Sequence, residues 1–577
     1  MSRAVAPMQQ DERPSVVASK ITRSPASLAL WASSIVLASI YLLHLPIYRN
    51  YFPFGDDPAV FQASAGSPKL WFTQGFSRYF IVYPEWSTPF TDFMRPGVNL
   101  LTHINQILFG QHYSLYFASY YAAQLLVCTL VVLIAQYFGA KSRWLVLISL
   151  ATSINPAFIG LGLQSAAFSF DVWCGLFAIL SLYAILRRRY GIAIISLTLS
   201  LFVKEASLYA PIAAAITVFL CTHRKMLSAC MLIPLAIWAF AWKFVFIGIP
   251  SGIYALPGKN TTAILQMIRG FAIWPTGVFN DHAIRRVLIE HSIVPNLGEL
   301  LIGAINMMLW VALGIISIRV LRPFFSRASG IVDPELASLF VWLFGALGFG
   351  VLVGQQSRFG GSIYPLELIL FVAVIHRSTV PILRRSAEAA IALIAIPFLS
   401  NTQATLRHRD LNYNPSMQSL VASIRQHQAG VIYILNSPPA SSSPSAIANL
   451  AGTSNRVVIL SQSSGCPMAD WPNSTSIRIS RTKLEIVSKL PHCAEYEFEG
   501  VRFQVLSEGF KGELKRGDLA MYHFPDAKIT GRGILDHTQI TAVDLGKTLD
   551  IEVTTREGEP YSVLYYDWPS GQYRSSE

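Results

Sequence analysis

Apolar runs of roughly 17–23 residues recur between about residue 26 and residue 402, each long enough to cross a hydrocarbon core about 30 Å thick at about 1.5 Å of rise per residue. A helix of a water-soluble core seldom stays apolar on all faces for that length. The runs therefore select a polytopic α-helical membrane protein. Composition agrees, since 52% of the 577 residues are hydrophobic and only 14% are charged, with a mean hydropathy of +0.43. Eleven spans are expected, near 26–48, 113–137, 143–160, 168–186, 190–203, 206–222, 226–248, 298–320, 334–355, 361–377 and 386–402.

The distribution of Lys and Arg gives these spans a direction. The net charge of +12 does not point to nucleic acid, because the basic residues sit in short clusters between apolar runs and not in a stripe interleaved with stacking aromatics. Arg3, Arg13, Lys20 and Arg23 precede the first run, which is too long for the core of a signal peptide, so residues 1–25 read as a cytoplasmic tail. Later inner turns hold Lys141 and Arg143, then Arg187 to Arg189, then Arg224 and Lys225, then Arg319, Arg322 and Arg327, and finally Arg377, Arg384 and Arg385. All are almost free of acid, as the positive-inside rule requires. The threading leaves three outer segments: a first loop at 49–112, a second at 249–297, and residues 403–577.

The transmembrane domain is thus expected over 26–402. Residues 403–577 read as an extracytoplasmic α/β or α+β domain, with alternating strand-like stretches such as GVIYILN, NRVVILS and VRFQVLS. Of six cysteines, Cys128, Cys174, Cys221 and Cys230 lie in or beside apolar runs and read as small apolar residues. Cys466 and Cys493 lie in the polar C-terminal part and are candidates for a disulfide outside the cytoplasm.

Ionisable residues at or near membrane depth are costly and so mark candidate sites. Here they converge on the outer side. The stretch FPFGDDPAVFQ sets Asp56 and Asp57 side by side just past the first span. Asp92 and Arg95 follow in the same loop, Asp171 lies at the outer end of the fourth span, Lys204 and Glu205 lie in the tight turn between the fifth and sixth, and Arg358 precedes the tenth. A carboxylate beside apolar walls is a better proton acceptor, and Arg and Lys hold phosphate, the one bidentately and the other as a point charge. Lys259, Arg269, Arg285 and Arg286 also fall outside on this threading, with Asp281 and His282 among them. They suit either an anionic substrate or lipid headgroups. No Walker loop, GxGxxG fingerprint or HExxH spacing occurs, so neither a nucleotide nor another cofactor is expected. No DxD stands in the first loop, which gives a metal ion no support beyond the acid pair itself.

Four stretches together resemble the GT-C superfamily of polytopic glycosyltransferases, near the bacterial relatives of protein O-mannosyltransferases: GDDPAVFQ, RPGVNLLTHINQILFG (95–110), LFVKEASLYAP (201–211) and SRFGGSIYPLELIL (357–370). The resemblance covers about residues 26–402. It implies a polyprenyl-phosphate-linked sugar as donor, a glycan, lipid or protein as acceptor, and a site at the outer face of the bacterial inner membrane, with the C-terminal domain in the periplasm. It further implies Asp56 as the base with Asp57 assisting, and Arg358 on the donor phosphate with Lys204 and Glu205 shaping that site. Beside the resemblance, Arg95, Asp92, Asp171, Tyr364 and Arg285 are expected as possible substrate contacts. The histidine-asparagine pattern found near the second span in some relatives is absent from HYSLYFASYYAAQLL, which leaves the acceptor class open. The alternative reading is a transporter or flippase of a lipid-linked saccharide. It is disfavoured because the chain shows no related halves and its ionisable residues lie outside, not at mid-depth. A non-catalytic scaffold is the third.

Overall fold

The computed structural model describes residues 25–53, 57–73, 94–154, 158, 166, 170–246, 334–352, 360–377, 415, 417–427, 430–434 and 444–459, and beyond them strand segments between 476 and 576. In chain order come α1 (Pro25–Arg49), α2 (Asp57–Ala65), α3 (Pro68–Thr73), α4 (Pro96–Phe109), α5 (Tyr113–Tyr137), α6 (Ser142–Ser153), α7 (Phe170–Leu186), α8 (Tyr190–Val203), α9 (Tyr209–Thr222), α10 (Lys225–Cys230), α11 (Ile233–Phe240), α12 (Pro334–Leu352) and α13 (Gly360–Arg377). Among the described residues, four helical stretches are long and apolar enough to cross a membrane: Pro25–Arg49, Tyr113–Tyr137, Glu205–Thr222 and Lys225–Val245. Shorter apolar helices occupy Phe170–Leu186, Tyr190–Val203, Pro334–Phe349 and Ile363–Ala373. The runs expected at 298–320 and 386–402 lie outside the described residues.

The helices pack as their surfaces dictate. Along α1, Ala29, Ser33, Leu37, Ile40, His44 and Tyr48 are buried at helical spacing, while Leu28, Trp31, Ile35, Leu42 and Leu43 stay exposed on the opposite side, as on a helix with one face to protein and one to lipid. The small residues Ala29 and Ser33 let α6 approach closely. Ser33 and Ser149 share a hydroxyl contact there, and Ser149 Oγ also donates to the Ala29 carbonyl at 3.1 Å, the polar adhesion expected between helices in an apolar medium. Trp342 Nε1 donates to Thr217 Oγ1 at 3.1 Å and joins α12 to α9. The expected span at 226–248 is not one smooth helix: Pro234 starts α11 after a break at 231–232, since proline fits only a first helical turn. A π turn, Ala241–Val245, follows.

Three basic turns each carry one residue in left-handed conformation: Gly139 at φ 82°, Arg188 at φ 57° and His223 at φ 55°. This is the usual way for a helix to stop and reverse. Within 49–112, the stretch expected as a first outer loop, the described residues form α2, α3 and α4.

In the C-terminal region, strands β1 (Val431–Ile434), β2 (Arg456–Ile459), β10 (Tyr561–Asp567) and β11 (Gln572–Ser576) form a sheet in the order β11-β10-β1-β2. β1 runs parallel to both β2 and β10, and β10 is antiparallel to β11. A helix at Pro444–Ala451 makes the crossover from β1 to β2, as parallel neighbours require. A second helix, residues 417–426, packs Met417, Leu420, Val421 and Ile424 against Ile432, Ile434, Val457 and Leu564. Between them lie β3 (Ser476–Ile479), β4 (Leu484–Val487), β5 (Cys493–Phe498), β6 (Val501–Leu506), β7 (Lys528–Leu535), β8 (Thr538–Asp544) and β9 (Thr548–Ile551). The four-stranded unit has two helices packed with it. Cys493 opens β5, while Cys466 lies outside the described residues.

Candidate active site

Helices α7 and α8 form an antiparallel hairpin of 17 and 14 residues. Arg187 to Arg189 make its turn, so the far ends, Asp171 and Lys204, are brought together. Asp171 stands in the first turn of α7, where the helix dipole favours a carboxylate. Lys204 is extended, at φ −159° and ψ 136°, and ends α8. Its Nζ donates to Asp171 Oδ1 in a buried ion pair.

Glu205 opens a short 3-10 turn, Glu205–Ser207. Its partner is Arg95, at the N-terminal cap of α4. Arg95 donates from Nε to Glu205 Oε2 at 2.7 Å and from Nη2 to Oε1, the forked geometry that suits guanidinium to carboxylate. A missing side chain makes this approach possible. A Cβ on Gly97 would stand 2.9 Å from the Phe202 carbonyl oxygen and from Val203 N and Cγ2, so only glycine lets the start of α4 lie against the end of α8. Phe170 underlies both cations, with Arg95 Cζ 5.5 Å and Lys204 Nζ 4.9 Å from its ring centre, within cation–π range. Relative exposure is 7% for Arg95, 5% for Asp171, 1% for Lys204 and 3% for Glu205. Four buried charges thus form two balanced pairs on one aromatic face.

Asp57 is held differently. It begins α2, has no exposed surface, and accepts a hydrogen bond from the Tyr51 hydroxyl. The same hydroxyl accepts from the Ala166 N–H at 2.8 Å, and the Ala166 carbonyl accepts from the Tyr120 hydroxyl. Donation therefore runs from Ala166 N–H through Tyr51 to Asp57, each bond polarising the next. Aromatic packing fixes Tyr51: its ring centre lies 5.0 Å from Phe117 and 5.6 Å from Tyr113, and Tyr48 stacks on Phe117 at 4.1 Å.

The two arrangements touch. Val60 and Ala63 of α2 share an apolar cluster with Val98, Phe170, Cys174 and Val203, so the helix that opens with Asp57 rests on the neighbours of Arg95, Asp171 and Lys204. The expected residues Arg95, Asp171, Lys204 and Glu205 are thereby gathered at one end of the α7–α8 hairpin, and Asp57 opens the helix that packs beside them. Tyr364 is buried on α13 within the helical core, and Glu367, one turn further, is buried with Oε2 unpartnered. Asp56, Asp92, Arg285 and Arg358 lie outside the described residues. Trp71, an aromatic of the first loop, is buried and donates from Nε1 to the Ala63 carbonyl at 3.1 Å, which ties α3 to α2. Tyr51, Tyr120 and Phe170 escaped the sequence reading. Tyr51 stands six residues before Asp57, but an aromatic beside an apolar run is too common to signal itself.

Neither a protein family model nor a curated protein matches the chain. Two solved structures that align with it are of ArnT from Cupriavidus metallidurans. The apo state has 12% sequence identity and a TM-score of 0.41, over 74% of this chain and 86% of that one. The form bound to undecaprenyl phosphate has 12% identity and a TM-score of 0.40, over 74% and 85%.

Proposed function

We propose that the chain is a membrane glycosyltransferase that moves a sugar from a polyprenyl-phosphate-linked donor to a hydroxyl of a cell-envelope glycan, lipid or protein at the outer face of the bacterial inner membrane. The observation that carries this reading is the packing of α2, which opens with Asp57, on Val203 and Phe170, the sequence neighbours of Lys204 and Asp171. An acidic group and a charge-rich end of the membrane helices thus stand side by side, as a base and a phosphate site must. The sequence resemblance of the four stretches supports the same assignment.

In this mechanism Asp56 takes the proton of the acceptor hydroxyl. The freed oxygen attacks the anomeric carbon, the bond from that carbon to the phosphate oxygen breaks, and the polyprenyl phosphate leaves with the electron pair. A single displacement inverts the anomeric centre. Asp57, held by Tyr51, fixes the start of α2, which directly follows Asp56 in the sequence. Arg358 meets the departing phosphate, and Lys204, its charge balanced by Asp171, shapes that side of the site with Glu205. The pairs Arg95–Glu205 and Lys204–Asp171 set the frame during folding, so little rearrangement is left for the chemical step.

The test uses purified protein in vesicles with a labelled sugar on polyprenyl phosphate. Transfer predicts release of free polyprenyl phosphate and appearance of label on an added envelope acceptor. Movement of intact labelled lipid across the bilayer without release would instead favour the flippase.

A further inference from the structure

The C-terminal domain does not stand apart from the acid pair. Immediately after α1, Phe52 leaves the membrane-domain aromatics and packs against the apolar core of the C-terminal domain, the core built from Met417, Leu420, Ile432, Ile447 and Leu564 among others. Beside it, Gln418 Nε2 donates to the Asn50 carbonyl at 3.5 Å. The crossover helix Pro444–Ala451 lies against α2, which opens with Asp57. Three separate contacts from one domain thus reach residues 50–65.

Tyr51 and Phe52, adjacent in the chain just past α1, enter different environments. Tyr51 is buried among Tyr113 and Phe117 and donates to Asp57. Phe52 reaches into the other domain. We infer that the C-terminal domain is a buttress for Asp57, with Phe52 as its anchor and Tyr51 as the positioning residue through which the anchor acts. The inference rests on the proposed transfer only for its catalytic consequence, because the mechanical coupling stands without it. A short link between a rigid aromatic cluster and a separately folded domain has little freedom once both ends are held. Releasing one end returns that freedom to Asp57, and a shift of about 1 Å near a reacting group can lower a rate by about 10²-fold.

The experiment compares full-length wild type with Phe52→Ala, Phe52→Leu and Tyr51→Phe, by peptide-resolved hydrogen exchange and by sugar transfer. In Phe52→Ala, amides of 50–65 are expected to exchange about tenfold faster, as a local opening unit does, with those of α5 unchanged. Its kcat is expected to fall about 10- to 100-fold with KM little altered. Phe52→Leu keeps apolar volume and restores most of both. Tyr51→Phe keeps exchange in 417–427 at the wild-type level while lowering kcat. Wild-type exchange and turnover in Phe52→Ala would overturn the buttress, as would Phe52→Leu behaving no better than Phe52→Ala. If Phe52→Ala does not fold, Phe52→Leu and Tyr51→Phe still decide. If the wild type transfers no sugar, the proposed function fails, and the exchange pattern alone judges the buttress.

Discussion

Two sets of buried carboxylates lie side by side, and they are held by different means. Asp171 and Glu205 face cations, whereas Asp57 accepts from a phenol that is itself polarised by a backbone N–H. The difference separates framing from positioning. An ion pair out of water tolerates no missing partner, because the remaining charge has nowhere to go. A hydroxyl donor orients a carboxylate without itself carrying a charge. The charge pairs fix where helices end, and the phenol fixes which way Asp57 faces.

The sharpest way to break this contrast is to remove one cation. Lys204→Met leaves Asp171 buried and unpaired and is expected to destabilise the protein by about 3–5 kcal/mol, read as thermal unfolding in detergent. Adding Asp171→Leu should recover most of that loss, since removing a whole buried pair is often neutral. A double variant as unstable as the single one would show that Lys204 acts through some other partner. Tyr51→Phe removes a bond to a carboxylate worth about 1.5–3 kcal/mol. Its effect should appear in turnover more than in melting, the reverse of the Lys204 variant. Smallest is Gly97→Ala, whose Cβ would press on the Phe202 carbonyl and on Val203. Overpacking of that kind costs about 1–3 kcal/mol, and the loss should disappear in a background where Arg95 and Glu205 are both replaced by apolar residues.

Much of this frame is legible in the sequence because helix length and turn charge are local properties. The apolar runs gave α1, α5, α7, α8 and α9 nearly to the residue. Once Arg187 to Arg189 are placed in a turn, hairpin symmetry brings Asp171 to Lys204. Arg95 with Glu205 was not legible as a pair, because it depends on Gly97 allowing two backbones within 2.9 Å of a would-be Cβ, a fact about three dimensions. The helices within 49–112 were missed for a related reason. In α4, Leu100, Ile104, Ile107 and Leu108 are exposed while Asn99, Thr102 and Asn105 are buried, so its polar residues face inward and the usual sign of an amphipathic helix is inverted. The sheet order β11-β10-β1-β2 joins strands more than a hundred residues apart, which no local pattern encodes.

The central claim is that an acid of the pair at 56–57 removes the acceptor proton during sugar transfer. Turnover of a labelled polyprenyl-phosphate-linked sugar by Asp56→Asn, beside wild type at matched folding, tests it most directly. The account predicts a fall in kcat of about 10²–10⁴-fold, the usual contribution of a general base, with donor binding retained. An Asp56→Asn protein that transfers sugar at the wild-type rate would contradict it.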